Sequence, residues 1–381
     1  MHKLLFVIFF CLLSFDSSAQ SKRIDTIPFT LNKLLLVFKG KVNGVEADFA
    51  FDTGAGLTVS NFKADLAFSI QEKGGKKGIK DANQNKSKLQ NIVFDDLAVG
   101  SHHVTNVKGV STDMPYLYCA NLVLLGQNFI NKFNWKIDFD QNLIFLSETP
   151  FTQTDEMQIW PIFYRGNRPY INFKLNNTNY TNCLIDLGFN GMFDIHIENP
   201  DGKLILEKKK KLNQINPYMA ASMGLHGLNK ASEKNNFFLD SVRFANVPYQ
   251  KVLASISESA ETKLGINFFR DFSRIMILNH SESKYFLLPR NTPEPYISVL
   301  DARVSLKDGK FTVSDIFTGQ NSTASTLKIG DEVLCVNGKI PADFKDDCEF
   351  LLWMYQYKNP ELTIKKMDGT EVMVKRSSLL L

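Results

Sequence analysis

Phe49-Ala50-Phe51-Asp52-Thr53-Gly54-Ala55-Gly56-Leu57-Thr58-Val59-Ser60 alternates in its left half: Ala47, Phe49 and Phe51 share one face of a strand, and Asp48 and Ala50 share the other. The apolar strand then meets an acid, a hydroxyl and a glycine, and resumes as Leu57-Thr58-Val59. Gly54 and Gly56 let the chain bend and let another backbone or a ligand approach closely. Taken alone, the pattern fits an ordinary strand–turn–strand equally well, because Asp before Gly is a common turn former.

A second copy changes the balance. Asn182-Cys183-Leu184-Ile185-Asp186-Leu187-Gly188-Phe189-Asn190-Gly191-Met192-Phe193-Asp194-Ile195 repeats the order of apolar strand, Asp, one residue, Gly and a renewed apolar run. Each copy is followed at similar distance by a matching segment. The first is Leu124-Leu125-Gly126-Gln127-Asn128-Phe129-Ile130-Asn131-Lys132-Phe133, with the strand Trp135 to Phe139 behind it. The second is Lys263-Leu264-Gly265-Ile266-Asn267-Phe268-Phe269-Arg270-Asp271-Phe272, with Arg274 to Leu278 behind it. The shared Leu-Gly-x-Asn-Phe pattern in two matched places marks an internal duplication, with one Asp in the same setting in each half.

The duplicated motifs resemble those of the pepsin–retropepsin aspartic peptidases, in particular the two-lobed bacterial forms with short lobes. The carriers are Asp52-Thr53-Gly54-Ala55, Asp186-Leu187-Gly188 and the apolar-apolar-Gly segments ending at Gly126 and Gly265, across about residues 27–290. Two departures stand out. Leu187 occupies a position where the family has Thr or Ser, and Lys263 fills the first apolar slot of its segment. The resemblance implies a mainly β fold with two acid-protease-like lobes, at 24–150 and 155–288. It implies catalytic Asp52 and Asp186, supported by Thr53, Gly54, Ala55, Leu187 and Gly188 in the two loops, a polypeptide substrate, and neither cofactor nor metal.

The chemistry that such a pair supplies follows from electrostatics. Two carboxyls within hydrogen-bonding distance do not both ionise easily, so they share a proton. The ionised member takes a proton from water, which attacks a peptide carbonyl, while the protonated member donates to the carbonyl oxygen. In the family, the hydroxyl after each Asp bonds across to the opposite loop; Thr53 has one and Leu187 does not. The expectation is an active aspartic endopeptidase, and the alternative is a catalytically weak or inactive two-lobed peptide-binding protein.

Residues 1–19 read as an export signal: His2 and Lys3, then an apolar run from Leu4 to Phe15, then the small residues Ser17-Ser18-Ala19. The expected location is the periplasm or the extracellular space, with no transmembrane segment after cleavage. A 381-residue chain exceeds one core. Its net charge of +4 gives no reason to invoke nucleic acid. Lys208 to Lys211 reads as a solvated face. Beyond the signal, Cys119, Cys183, Cys335 and Cys348 lack metal-ligand spacing and allow three pairings, of which Cys335 with Cys348 keeps a bridge inside one domain. His102 and His103 follow a turn at Gly100 with no cluster of Cys, Asp or Glu nearby in sequence, so no zinc or catalytic metal is expected.

Within the first half, Val42-Asn43-Gly44-Val45 reads as a tight hairpin, and Ile92 to Val99 pairs with Val104 to Val110. Glu72 to Lys88, polar and glycine-bearing, falls where the resembling family places its flap; Ser222 to Leu228 falls at the corresponding place in the second half. Pro289 to Pro295 reads as a proline-rich linker, 289–295. Beyond it, 296–381 resembles a PDZ domain, a small β/α fold, through Leu327-Lys328-Ile329-Gly330-Asp331-Glu332-Val333-Leu334-Cys335-Val336-Asn337-Gly338, with a helix expected over Phe344 to Tyr355. The glycine-rich loop that holds a peptide's terminal carboxylate in that family is not recognisable in Pro295 to Val304. The resemblance implies a possible protein partner, and the unit is read either as a module that positions a protein substrate or as one that docks on the lobes.

Overall fold

Asn43 and Gly44 both take positive φ, 50° and 82°, the pair of left-handed residues a two-residue hairpin needs, so the strand Val37–Val42 turns straight back as Val45–Phe51. This hairpin delivers Asp52 to the end of a buried strand. The computed structural model describes residues 23–31, 35–81, 84–221, 223–228, 230–291, 299–319 and 322–377. The expected export signal lies outside them, as do residues 292–295 of the expected linker.

The fold is mainly β, and the two halves repeat one construction. In the first, Val45–Phe51 runs parallel to Leu122–Leu125, with Phe51 opposite Leu125, and Thr58–Asn61 inserts on the far side of Leu122–Leu125 while running parallel to His102–Thr112. In the second, Thr178–Asp186 runs parallel to Lys263–Gly265, and Phe193–His196 lies beyond it, parallel to Val247–Ser257. Parallel pairing brings the carboxyl ends of two separate segments to the same edge of a sheet. Each Asp therefore emerges beside the glycine that closes its partner segment.

The two trailing strands of the duplication meet each other. Asn134–Asp138 and Ser273–Asn279 pair antiparallel, Leu278 opposite Trp135 and Ile275 opposite Asp138, and they join the halves into a continuous sheet that also takes in Ile24–Thr30, Leu143–Ser147, Gln158–Pro161 and Lys284–Pro289. One hydrophobic cluster consequently runs through both lobes, from Ile27 to Leu287. Phe51 meets Trp135 edge-on at 5.0 Å; such a pair adds about 0.5–1.5 kcal/mol beyond the area it buries. The strand bearing Asp52 is thus held against the strand that joins the lobes. Pro289 and Arg290, expected in a linker, belong to this sheet: Pro289 stands opposite Ser273, and the Arg290 N–H donates to the Phe272 carbonyl.

The polar stretch after the first acid loop forms a long hairpin, Gln71–Lys80 with Lys86–Val99. It reaches the second lobe. Gln84 Nε2 donates to the Glu258 carbonyl at 2.9 Å, and Ser87 Oγ lies 2.6 Å from His226 Nδ1. His226 sits in the turn of a two-stranded hairpin, Met223–Gly224 with Gly227–Leu228, so the two flap-like segments found in the sequence touch. Lys208 to Lys211 ends a helix, Pro200–Lys211, and Lys209 is buried rather than solvated, with its ammonium on Asp240 and Gln214. His102 and His103 each meet an acid distant in sequence or across the strand pair, Asp25 and Asp96 respectively, both at 2.9 Å.

Residues 299–377 have their own core, built by Val304, Phe311, Val313, Val336, Phe350, Ile364 and Val374 among others. They do not stand apart from the lobes. Lys310–Phe317 pairs antiparallel with Asn216–Ala220 of the second lobe, extending its sheet. On the other side the helix Asp347–Gln356 packs on the helix Pro115–Ala120 of the first lobe, with Tyr355 edge-on to Tyr116 at 5.2 Å and Leu351 and Leu352 against the same apolar cluster. A disulfide joins these helices, Cys119 to Cys348. Cys335, which could have bridged Cys348 within one domain, is free, as is buried Cys183. The pairing was invisible in the sequence because its partners are 229 residues apart and meet only after the C-terminal unit docks.

A bridge closing so long a loop contributes on the order of 2–4 kcal/mol. The Cys119→Ser, Cys348→Ser double variant is expected to unfold at lower denaturant than the oxidised protein. Limited proteolysis should then release the C-terminal unit first, since the residues bridged are the ones holding it to the first lobe.

Candidate active site

Asp52 leaves its strand with the backbone N–H bonded to the Leu125 carbonyl at 3.1 Å, and its Oδ1 accepts from the Gly54 and Ala55 N–H groups at 2.7 and 3.0 Å. Ala55 in turn accepts through its carbonyl from Gln127 N–H at 2.8 Å, tying the loop to the segment after Gly126. The second loop repeats the tie: Ile266 N–H donates to the Phe189 carbonyl at 2.9 Å.

The loops face each other at the closest approach glycine allows. A Cβ at Gly54 would run into the Asp186 carboxyl, and a Cβ at Gly188 would run into that of Asp52. Each acid thus lies over the opposite glycine, and the two carboxyls share a hydrogen bond. The sequence-predicted pair, 134 positions apart, is brought together. Burial and the neighbouring Asp186 charge push the Asp52 carboxyl up, to about 8, against the opposing pull of the Gly54 and Ala55 N–H groups.

Thr53 joins the loops. Its hydroxyl donates to the Ile185 carbonyl at 2.6 Å and accepts from the Leu187 N–H at 2.9 Å, so one fully buried side chain satisfies two backbone groups of the other lobe. The reciprocal bond is missing. Leu187 is fully buried in the shared apolar core, where its side chain contributes packing in place of a hydroxyl.

Lys263 was recognisable in the sequence only as a lysine in an apolar slot. Its Nζ lies 3.7 Å from Asp186 Oδ2 and 4.3 Å from the centroid of the Phe189 ring, and both charged side chains are largely buried. The first lobe has Leu124 in the matching segment position, so the site is electrostatically one-sided. Among the described residues no group of three or more His, Cys, Asp or Glu side chains is arranged to hold a metal ion.

Residues 38–132 match the family model described as "gag-polyprotein putative aspartyl protease". That span takes in Asp52-Thr53-Gly54 and Leu124-Leu125-Gly126 and ends before the second lobe. Among solved structures, a retropepsin-like aspartic protease from Rickettsia conorii is similar over 33% of this chain and 93% of that chain, at 19% identity and a TM-score of 0.25. No curated protein matches. The family match is thus confined to the first lobe.

Removing the Thr53 hydroxyl leaves the Ile185 carbonyl and the Leu187 N–H unpaired in the interior, at about 1–3 kcal/mol for each group lost. Thr53→Val is therefore expected to lower the thermal midpoint and to separate the two loops, whereas Thr53→Ser keeps both bonds and stays near wild type. Calorimetry on the two variants distinguishes the hydroxyl from the methyl.

Proposed function

We propose that this protein is an exported aspartic endopeptidase in which Asp52 and Asp186 activate a water against a peptide bond. The observation that carries the reading is the contact between the two carboxyls, each packed over the opposing glycine, in loops that Thr53 ties together. In the reaction, Asp186 as carboxylate takes a proton from the water, whose oxygen bonds to the scissile carbonyl carbon. Asp52 gives its proton to the carbonyl oxygen, and a neutral gem-diol results. Collapse reforms the carbonyl, breaks the C–N bond and places a proton on the leaving nitrogen, and the dyad ends with one proton as it began. The hairpin Gln71–Lys80 with Lys86–Val99 acts as the flap over the bound chain, and its contacts with Glu258 and His226 support that role. Export is supported by the sequence of residues 1–19 and by the Cys119–Cys348 bridge, since disulfides persist in oxidising compartments.

The C-terminal unit we read as PDZ-like, on the order of its strands and helix and on the Gly330-Asp331 to Asn337-Gly338 run. Its attachment to both lobes favours a docked element that positions large substrates over an independent module.

Asp52→Asn and Asp186→Asn should each reduce cleavage of an unfolded protein substrate by at least about a thousandfold with the fold intact, because the acids act as a unit. The working form needs Asp52 protonated, a state present below its raised pKa and lost as pH climbs through it. Activity should therefore extend to neutral pH and fall on an alkaline limb near about 8. Wild-type turnover in Asp186→Asn would refute the two-acid mechanism.

The second reading, a weak or inactive peptide-binding protein, is favoured by Leu187, whose side chain supplies no hydroxyl for the second cross-loop bond. Leu187→Thr should lose about 1–3 kcal/mol of stability, since it trades buried apolar volume for a hydroxyl. If the wild type is inert and this variant cleaves, the natural protein is a binding protein.

A further inference from the structure

We propose that Lys263 is a positioning residue of the dyad: its buried ammonium, 3.7 Å from Asp186 Oδ2, fixes Asp186 as the ionised, water-activating acid and leaves Asp52 as the proton donor. The inference rests on the aspartic-dyad reading and adds to it the group that sets the two roles. A symmetrical pair of carboxyls has no reason to place its proton on one side. Here one lobe has an aliphatic residue and the other a cation in the matching segment. In a medium of low polarity, a unit charge at this distance shifts a neighbouring ionisation by more than a full pH unit.

The geometry restricts the ammonium to this task. Its stem rises from a strand of three residues, Lys263–Gly265, paired on one side with Leu184 and on the other with Asp194. The Phe189 ring, from the second acid loop itself, takes the ammonium at 4.3 Å, a cation–π contact that holds the charge in place without competing for it as an acid would. The charged groups around it are few. Asp186 and, behind it, Asp52 lie on the cleft side. Asp194 stands across the strand pair, its carboxylate engaged by the hydroxyls of Ser255 at 2.8 Å and Ser257 at 2.7 Å. Lys234 lies nearby, its own ammonium held below the usual lysine range chiefly by burial, with Asp194 and Asp315 opposing that shift and Lys263 adding to it. Asp194 is already satisfied by two hydroxyl donors, which leaves the Lys263 charge directed at Asp186. The raised Asp52 carboxyl is the complementary half of the same asymmetry.

The test has two arms. In the first, the pH dependence of peptide cleavage is compared for the wild type, Lys263→Met and Lys263→Arg. Met fills an apolar slot of the same length and removes the charge, so the acid limb should move up by at least about one pH unit. Arg keeps the charge and should leave the limb within a few tenths of a unit. An acid limb that does not move in Lys263→Met overturns the proposal, as does one that moves equally in both variants. The second arm needs neither activity nor a substitution of Lys263. With aspartate labelled at its carboxyl carbon, and signals assigned by their loss in Asp52→Asn or Asp186→Asn, the wild-type dyad should titrate in two steps, with Asp186 moving mainly in the earlier and Asp52 in the later. The reverse order overturns the proposal. A protein that cleaves nothing yet shows the expected order would refute the peptidase reading and keep the role of Lys263.

Discussion

The Thr53 hydroxyl is the interaction on which the rest of the arrangement depends. It is the group of the first acid loop that donates to one backbone atom of the second and accepts from another, and it does so from a fully buried position. Separating the loops would take the Thr53 hydroxyl from both the Ile185 carbonyl and the Leu187 N–H and leave its own polar group in an apolar interior. With the loops so fixed, Gly54 and Gly188 bring each acid over the opposite backbone. The carboxyl contact is a consequence of this clamp, and the electrostatic repulsion between the acids is tolerated because the clamp and the sheet beneath it resist opening.

That sheet explains how two duplicated halves hold such tolerances. The pairing of Asn134–Asp138 with Ser273–Asn279 sets the lobes in fixed register, and Trp135 of the joining strand packs edge-on against Phe51. A displacement of the second lobe would have to break this ladder and reopen a core that is continuous from Ile27 to Leu287. The duplication supplies two equivalent loops, and the divergence between them supplies the asymmetry. Thr53 is matched by Leu187, and Leu124 by Lys263, so one lobe contributes the clamp and the other the charge.

The C-terminal unit adds a third body to this two-lobed frame. Its strand Lys310–Phe317 extends the second lobe's sheet, while its helix Asp347–Gln356 is bonded through Cys348 to the first lobe. An element attached to both lobes restrains the way they can move relative to one another. The helix it grips, Pro115–Ala120, is bordered by Met114 and Thr112, and the Thr112 hydroxyl donates to the Leu225 carbonyl of the second lobe at 2.8 Å. Restraint at this helix is therefore felt beside the small second-lobe hairpin that meets the long one.

What the sequence determined by itself was everything carried by local pattern and repetition. Alternation around Phe49 and Phe51, the Asn43-Gly44 turn, and the twofold recurrence of Asp-x-Gly and Leu-Gly-x-Asn-Phe were enough to place Asp52 and Asp186 in equivalent loops. A period-2 strand and a left-handed turn are decided within a few residues. The sequence also showed the absent hydroxyl at Leu187 and a lysine where an apolar residue belongs. Only the tertiary structure decided what those departures mean. Whether Leu187 is a defect or a packing residue depends on the core around it, and that core is assembled from both lobes. Lys263 becomes a partner of Asp186 only because parallel pairing sets Leu184 opposite it. The Cys119–Cys348 bridge, the burial of Lys209 and the surfaces by which residues 299–377 dock on both lobes were likewise outside the sequence's reach, since each depends on segments far apart in the chain that meet through surfaces with no periodicity to read.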